Sequence, residues 1–394
     1  MRKNVKRLLC GLLAAALLIP AAAAAPASGQ KAKLSDIQGH WAERQIEQAV
    51  AEGWVDGYPD GSFHPDDTIT QAEFTKLLLA AFQLTPDSDT VAWMKSIAAY
   101  PHDKGGYMDI EPYTPALSDM KGHWLTKQGW LDAAIYSGIL VPADHTGGKY
   151  GPDLPVRRYT MALQAIRAMG FVGAAETVST ADLAFSDNAE IQEWVKGYVK
   201  LATQYGVMNG YPDGSFGPKR TATRAEAVVT VARALDYNRG DGEIQASMEL
   251  YRYFAYPHGS ESAEPFVTNR VRMLAADGRI YVNARDLFTE IGVDGGWRWF
   301  PTRQVLYVSG GNTSYKFQMG RSQQDFAYAE PTPRDNELLG IVRFYNGNPM
   351  LPLHDFNRPV HSPEGFLWSN FQGKWDAATR TLSFSICDPT PNGS

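Results

Sequence analysis

Cysteine is nearly absent: the 394-residue chain has two, Cys10 and Cys387. That excludes a disulfide-stapled scaffold and any zinc site built on several thiolates. A basic excess is also missing, with 37 Lys and Arg against 43 Asp and Glu and a net charge of −6, which argues against life on nucleic acid or on an acidic membrane surface. No hydrophobic run is long. The stretch from Leu8 to Ile19 is too short for a bilayer core of roughly 30 Å. The histidines, at 40, 64, 102, 123, 145, 258, 354 and 361, form no HxH or HExxH pair, and neither a GxSxG elbow nor a P-loop is present. Aromatics, by contrast, are plentiful: 17 Phe, 19 Tyr and 10 Trp exceed what a disordered chain carries.

Residues 1–27 read as an export signal. Arg2, Lys3, Lys6 and Arg7 form a charged start, the apolar stretch follows, and Ala21 to Ala27 supply small residues for cleavage. Loss of this segment would take Cys10 with it, lower the basic residues from 37 to 33 against 43 acidic ones, and leave a net charge of −10.

The length predicts two or more cores, and self-comparison finds a unit used three times. LSDIQGHWAERQIEQAVAEGWVDGYPDGSFHPDDTITQAEF, from Leu34, returns as FSDNAEIQEWVKGYVKLATQYGVMNGYPDGSFGPKRTATRAEA, from Phe185. Trp41 to Asp60 and Trp194 to Asp213 are both 19 residues apart. A middle copy from Leu117 keeps LSDMKGHW and GPD but lacks the GYPDGSF turn. Each copy reads as two helices around a turn. Ile46, Ala49 and Val50 share one face before a stop at Gly53, and Tyr58-Pro59-Asp60-Gly61 has a type I turn signature. Thr70 with Glu73, and Thr223 with Glu226, form capping boxes that open the second helices. Units this small cannot bury their own apolar stripes, so the copies are expected to pack together into one helical domain. A short helix from Val91 to Ala99, then a loop from His102 to Pro115, lengthen the first connection.

This pattern, SD…HW…GW…DGYPDGSF…P…ITQAEF, resembles the S-layer homology module of bacterial cell-surface proteins, usually present in three copies. The resemblance implies an all-α, pseudo-threefold domain. Its grooves would bind an anionic, often pyruvylated, secondary cell-wall polysaccharide and hold an exported protein on the envelope. Six residues after Pro65, Pro152 and Pro218 stand Gln71, Arg158 and Arg224. A cation in the first helical turn opposes the macrodipole at a cost of about 0.3–1 kcal/mol, so arginine there suggests a site for an anion beside free N–H groups. Arg158, its neighbour Arg157 and Arg224 are therefore candidate ligand contacts, and the Gln71 site is expected to be weaker. Trp41, Trp124 and Trp194 suit either core packing or stacking on a sugar face. Asp36, Asp119 and Asp187 are expected to cap helices and are candidates for bonding sugar hydroxyls.

Past Tyr237 the polar run Asn238-Arg239-Gly240-Asp241-Gly242 suggests a hinge, and the pattern turns to strands. Arg279 to Asn283 reads as a strand, Arg285 to Ile291 as a helix, and Trp297 to Val308 as a hairpin. The order repeats later, with Trp299 matched to Trp375 and Val308 to Phe384 at a constant offset of 76. Strand, helix, W-D-x-x-T hairpin and strand, used twice, resemble the copper-amine-oxidase N-terminal-like domain, an accessory α+β unit that in its family carries neither copper nor redox cofactor.

The expected organisation is multidomain: a signal peptide over 1–27, repeats over 34–84, 117–172 and 185–238, an insertion over 85–116, a linker over 239–264, an α+β domain over 265–388 and a tail over 389–394. The expected function is non-catalytic anchoring of a secreted, monomeric protein to the cell wall. The secondary cell-wall polysaccharide is the partner, and no cofactor, metal, nucleic acid or membrane span is involved. A wall-associated glycan hydrolase, with catalytic carboxylates in the C-terminal domain, is the alternative.

Overall fold

The computed structural model describes residues 34–98, 117–181, 183–240, 242–244, 247–254, 266–268, 271–276, 279–290, 297–310, 313–320, 342–346, 348–352, 372–376 and 381–388. The expected signal segment with Cys10, the loop from His102 to Pro115 and the tail over 389–394 lie outside them. Among the described residues no helix is long and apolar enough to cross a membrane.

The helical region runs α1 (Glu43–Glu52), α2 (Gln71–Ala81), α3 (Asp89–Ser96), α4 (Trp124–Lys127), α5 (Trp130–Tyr136), α6 (Arg158–Ala168), α7 (Val172–Thr177), α8 (Glu193–Gln204) and α9 (Arg224–Arg239). Local chemistry sets these limits. The Gly53 N–H, in a left-handed backbone, donates to the Ala49 and Val50 carbonyls and ends α1. Both capping boxes form: Thr70 caps α2 and Thr223 caps α9, each with its glutamate reaching back. Arg157 stands in that place before α6 and makes no side-chain cap. In the middle copy Gly129, at φ +81°, splits the first helix into α4 and α5. The insertion helix begins two residues earlier than the apolar spacing suggests, because the Ser88 hydroxyl accepts from the Val91 N–H.

Three short segments lock the helical region about a central axis. The Ile69 N–H donates to the Ala222 carbonyl at 3.2 Å, Ala222 to Val156 at 3.1 Å, and Val156 back to Ile69 at 2.9 Å. The three residues are 0–1% exposed, so this ring of hydrogen bonds sits in the core. Water cannot compete for these buried backbone groups, which makes the ring a strong register for the three helices that follow it.

The region after Gly240 contains strands β1 (Gly242–Ile244), β2 (Ser247–Phe254), β3 (Phe266–Thr268), β4 (Met273–Ala276) and β5 (Arg279–Asn283), then helix α10 (Ala284–Glu290). There follow β6 (Arg298–Phe300), β7 (Val305–Gly310), β8 (Thr313–Gln318), β9 (Arg343–Tyr345), β10 (Asn348–Pro352), β11 (Gln372–Asp376) and β12 (Thr381–Asp388). They form sheets ordered β1-β4-β5-β10-β9, β11-β12-β2-β3 and β6-β7-β8, antiparallel throughout except that β12 runs parallel to β2. Strands form over 279–283 and within 297–308 and 374–384 as expected, whereas β1 and β2 do not follow the sequence reading. The strand pairs at Trp299 (β6-β7, where Phe300 stands in place of the aspartate) and at Trp375-Asp376 (β11-β12) belong to different sheets.

The described residues of the expected hinge and linker carry structure instead. Asn238 is buried, the Arg239 guanidinium grips the Glu52 carboxylate at 3.1 and 2.8 Å, and β1 and β2 occupy linker positions. Gly240, at φ +52°, lies so close to Ala276 that a side chain there would collide with it. Sheet and helix regions also interlock through α3. Trp299, fully buried, donates its backbone N–H to the Ile97 carbonyl at 2.8 Å and its indole N–H to the Tyr136 carbonyl at 2.6 Å. Gln304 donates to the carbonyls of Ser137 and Arg167 at 3.1 and 2.8 Å. Met94 from α3 joins the second core around Trp299, Phe317 and Phe344.

Candidate functional site

The central ring aims the start of each long helix at the turn of a neighbouring copy. Gln71, opening α2, faces the turn at Tyr150; Arg158, opening α6, faces the turn at Phe216; Arg224, opening α9, faces the turn at Phe63. Backbone groups follow the same cycle. The N–H groups of Arg224 and Ala225 donate to the carbonyls of Asp67 and Pro65, those of Arg158 and Tyr159 to Arg220 and Pro218, and those of Gln71 and Ala72 to Leu154 and Pro152. The orphan donors at the helix starts are therefore satisfied by neighbouring turns. This corrects the expectation that free N–H groups wait beside the arginines for an anion.

The three tip side chains differ. The Arg224 Nε donates to the Phe63 carbonyl at 3.0 Å, with the guanidinium 4.7 Å from the Phe63 ring and 5.0 Å from the Tyr58 ring. No carboxylate among the described residues lies within ion-pair distance of it. Arg158 is only 7% exposed, with Nε on the Phe216 carbonyl at 2.9 Å and an Nη on the Asn209 carbonyl at 2.6 Å. Its place in the core of the interface makes it first a structural residue. Gln71 gives its amide N–H groups to the carbonyls of Tyr150 and Gly151, both at 3.0 Å. Arg157 is exposed and forms a β-bridge with Thr221.

The aspartates do not cap helices, contrary to expectation. Asp36 accepts from the N–H groups of Phe63 and His64, Asp119 from Tyr150 and Gly151, and Asp187 from Phe216 and Gly217, at 2.7–2.9 Å. Each latches the start of its copy to the far side of its turn, so both oxygens are already engaged. Burial acts to raise the carboxyls of Asp36 and Asp119, but these backbone donors outweigh it and hold both below the ordinary range. The His-Trp pairs have a local logic that the sequence did not reveal. His40 Nδ1 accepts from the Ala42 N–H while Nε2 meets Asp66 at 3.3 Å, and His123 repeats this with Leu125 and Asp153. Trp41 and Trp194 are 61% and 45% exposed, which core packing would not produce; Trp124 is half-buried.

Among the described residues, two cavities bear on the helix tips. The larger, about 580 Å³, is walled by Trp54, Tyr58, Trp124 and Trp130, with Arg224 and Lys76 as its cations and Asp56 and Glu73 as its acids. Its size suits a sugar-sized ligand. Lys76 lies 5.9 and 5.8 Å from the Trp124 and Trp130 rings. The smaller, about 330 Å³, is lined by Gln71, His145, Tyr150, Arg157, Tyr159, Arg167 and Trp194. There Arg167 is held by Asp144 at 2.6 Å, burial pushes His145 toward its neutral form, and burial raises the Tyr150 phenol to about 12. Thus Arg224 and Trp124 share one cavity and Arg157 and Trp194 the other, whereas Trp41 and Arg158 line neither. Tyr58, Lys76 and Trp130 were not among the expected contacts. Lys76 was detectable in principle, since the matching positions after Arg157 and Thr223 hold Leu163 and Val229. Among the described residues no group of His, Cys, Asp and Glu could hold a metal ion.

Comparison with known proteins agrees with the first and last copies. Residues 33–75 and 184–228 match the S-layer homology domain. The chain is 28% identical over 203 residues to the amylopullulanase of Thermoanaerobacterium thermosulfurigenes, covering 51% of this chain and 9% of that protein. It is 36% identical over 80 residues to the cellulosome-anchoring protein of Acetivibrio thermocellus, 20% of this chain and 17% of the relative. To an S-layer protein of Bacillus thuringiensis subsp. finitimus it is 23% identical over 231 residues, 58% of this chain and 24% of the relative. The chain thus spans less than a quarter of each of these relatives. With two matched segments set in a cycle of helix tips and turns, this is a protein that carries S-layer homology domains, and those domains associate it with the cell surface.

Proposed function

We propose that the helical region anchors an exported, non-catalytic protein to the cell wall by holding an anionic secondary polysaccharide in the 580 Å³ cavity. The observation that carries this is Arg224, a cation held over two aromatic rings in the lining of an aromatic-walled cavity and left without a carboxylate partner among the described residues. An arginine so placed suits a ligand carboxylate, and the tryptophans offer flat faces to a sugar ring. Bulk attraction cannot supply the affinity, because the chain itself is acidic.

In this reading the middle copy serves as a third S-layer homology module. Its support is backbone geometry: residues 117–172 make the same aspartate latch and the same helix-tip contacts as their neighbours. The C-terminal region acts as an accessory unit of the copper-amine-oxidase N-terminal-like kind, carried on the anchor without catalysis of its own.

Co-sedimentation of the full chain with bacterial walls, intact and after chemical removal of the secondary polymer, tests the anchor. Pelleting with intact walls alone is expected; equal pelleting with stripped walls would refute polysaccharide anchoring. The full chain is the right probe because Trp299 and Gln304 knit the sheet region into the helical one.

A further inference from the structure

We infer that the larger cavity holds two successive acidic sugar units, the first at Arg224 and the second at Lys76 between Trp124 and Trp130. The inference rests on the anchoring function proposed above and assigns the second subsite.

Lys76 projects from the exposed side of α2, and its ammonium has two indole rings within 6 Å and no carboxylate within ion-pair distance among the described residues. The acids of this cavity are otherwise engaged. Glu73 accepts from the Thr70 N–H and hydroxyl, both at 2.9 Å, and Asp56 has interactions of its own. The aromatic pair adds a cation–π attraction that orients the ammonium without neutralising it.

Repetition of the fold does not require this arrangement. Six residues after the caps Thr70, Arg157 and Thr223 stand Lys76, Leu163 and Val229; six after Trp41, Trp124 and Trp194 stand Glu47, Trp130 and Lys200. Lysine and second tryptophan therefore coincide in one cavity, the one that also contains Arg224. Two cations joined by an aromatic wall match a glycan whose adjacent residues each carry an acidic group, with one pyranose stacked on an indole between them.

The test uses the acidic polymer released from walls that the full chain sediments, fragmented to one, two and three repeating units, with a carboxyl-reduced sample as control. Calorimetric titration compares wild type, Lys76→Gln, Lys76→Arg, Trp130→Phe and Arg224→Gln. Arg224→Gln is expected to weaken every fragment. Lys76→Gln should weaken the longer fragments by about fivefold and leave the one-unit fragment unchanged, with Lys76→Arg close to wild type and Trp130→Phe intermediate. If Lys76→Gln binds all fragments as wild type does, the second subsite is refuted while the Arg224 site stands. Wild type binding native and carboxyl-reduced fragments equally would overturn both.

Discussion

The two cavities share one backbone frame and differ in chemistry. Each is framed by a long helix, the start of the next copy and the tip of a third, yet the tip is Arg224 in one and Gln71 in the other. Arg224 keeps its charge without a carboxylate partner among the described residues, whereas Gln71 ties its amide to two carbonyls of the facing turn. The remaining cations diverge likewise: Lys76 has indoles and no acid, while Arg167 is locked to Asp144. Repetition thus fixes where a side chain stands, and the partners around it decide whether its charge is left for a ligand.

Breaking the frame itself should have the largest effect. Arg158→Ala removes a buried guanidinium and leaves the carbonyls of Asn209 and Phe216 without their donor, so a loss of about 3 kcal/mol is expected in chemical denaturation. Any loss of wall binding should then track the unfolded fraction; full stability with selective loss of binding would make Arg158 a ligand contact instead. Arg224→Ala should act the other way, lowering wall affinity by about tenfold while changing stability by roughly 1 kcal/mol or less, since its side chain is partly exposed. Gln71→Ala should cost about 1 kcal/mol of stability for its lost bonds and leave wall binding unchanged. Equal binding losses from Arg224→Ala and Gln71→Ala would erase the contrast between the cavities.

The smallest effect concerns the seam between α1 and α9. The bonds from Arg239 hold the Glu52 carboxyl down at about 2 against its ordinary 4.5. A depressed carboxyl contributes stability above its unfolded value and loses it as pH falls toward the folded one. Acid titration of the fold should therefore show a decline between about pH 4.5 and 2 that Glu52→Gln reduces, with a change at neutral pH of under about 1 kcal/mol because the pair is partly exposed.

Much of the helical region was legible because its determinants are local. Capping boxes, the Gly53 stop and the Tyr58-Pro59-Asp60-Gly61 turn act within a few residues, and they formed as read. Strand positions such as Arg279–Asn283 were equally readable from a β-branched and aromatic run between polar ends. The aspartates were misjudged because their partners lie about 30 residues along the chain; proximity in sequence suggested a cap where the fold made a latch. The hinge was misread for a related reason, since a polar, glycine-containing run gives no sign that Glu52 and Ala276 will close upon it.

The sequence by itself determined the repeating unit, the tip residues and the surplus of acid that makes local cations necessary. Only the tertiary structure decided that Arg158 is buried, that Arg224 is presented, and that Lys76 meets two tryptophans from another copy. The physical reason is that a charge's role depends on its neighbours within a few ångströms, and at these tips every decisive neighbour belongs to a different copy, brought near by the buried ring of Ile69, Val156 and Ala222.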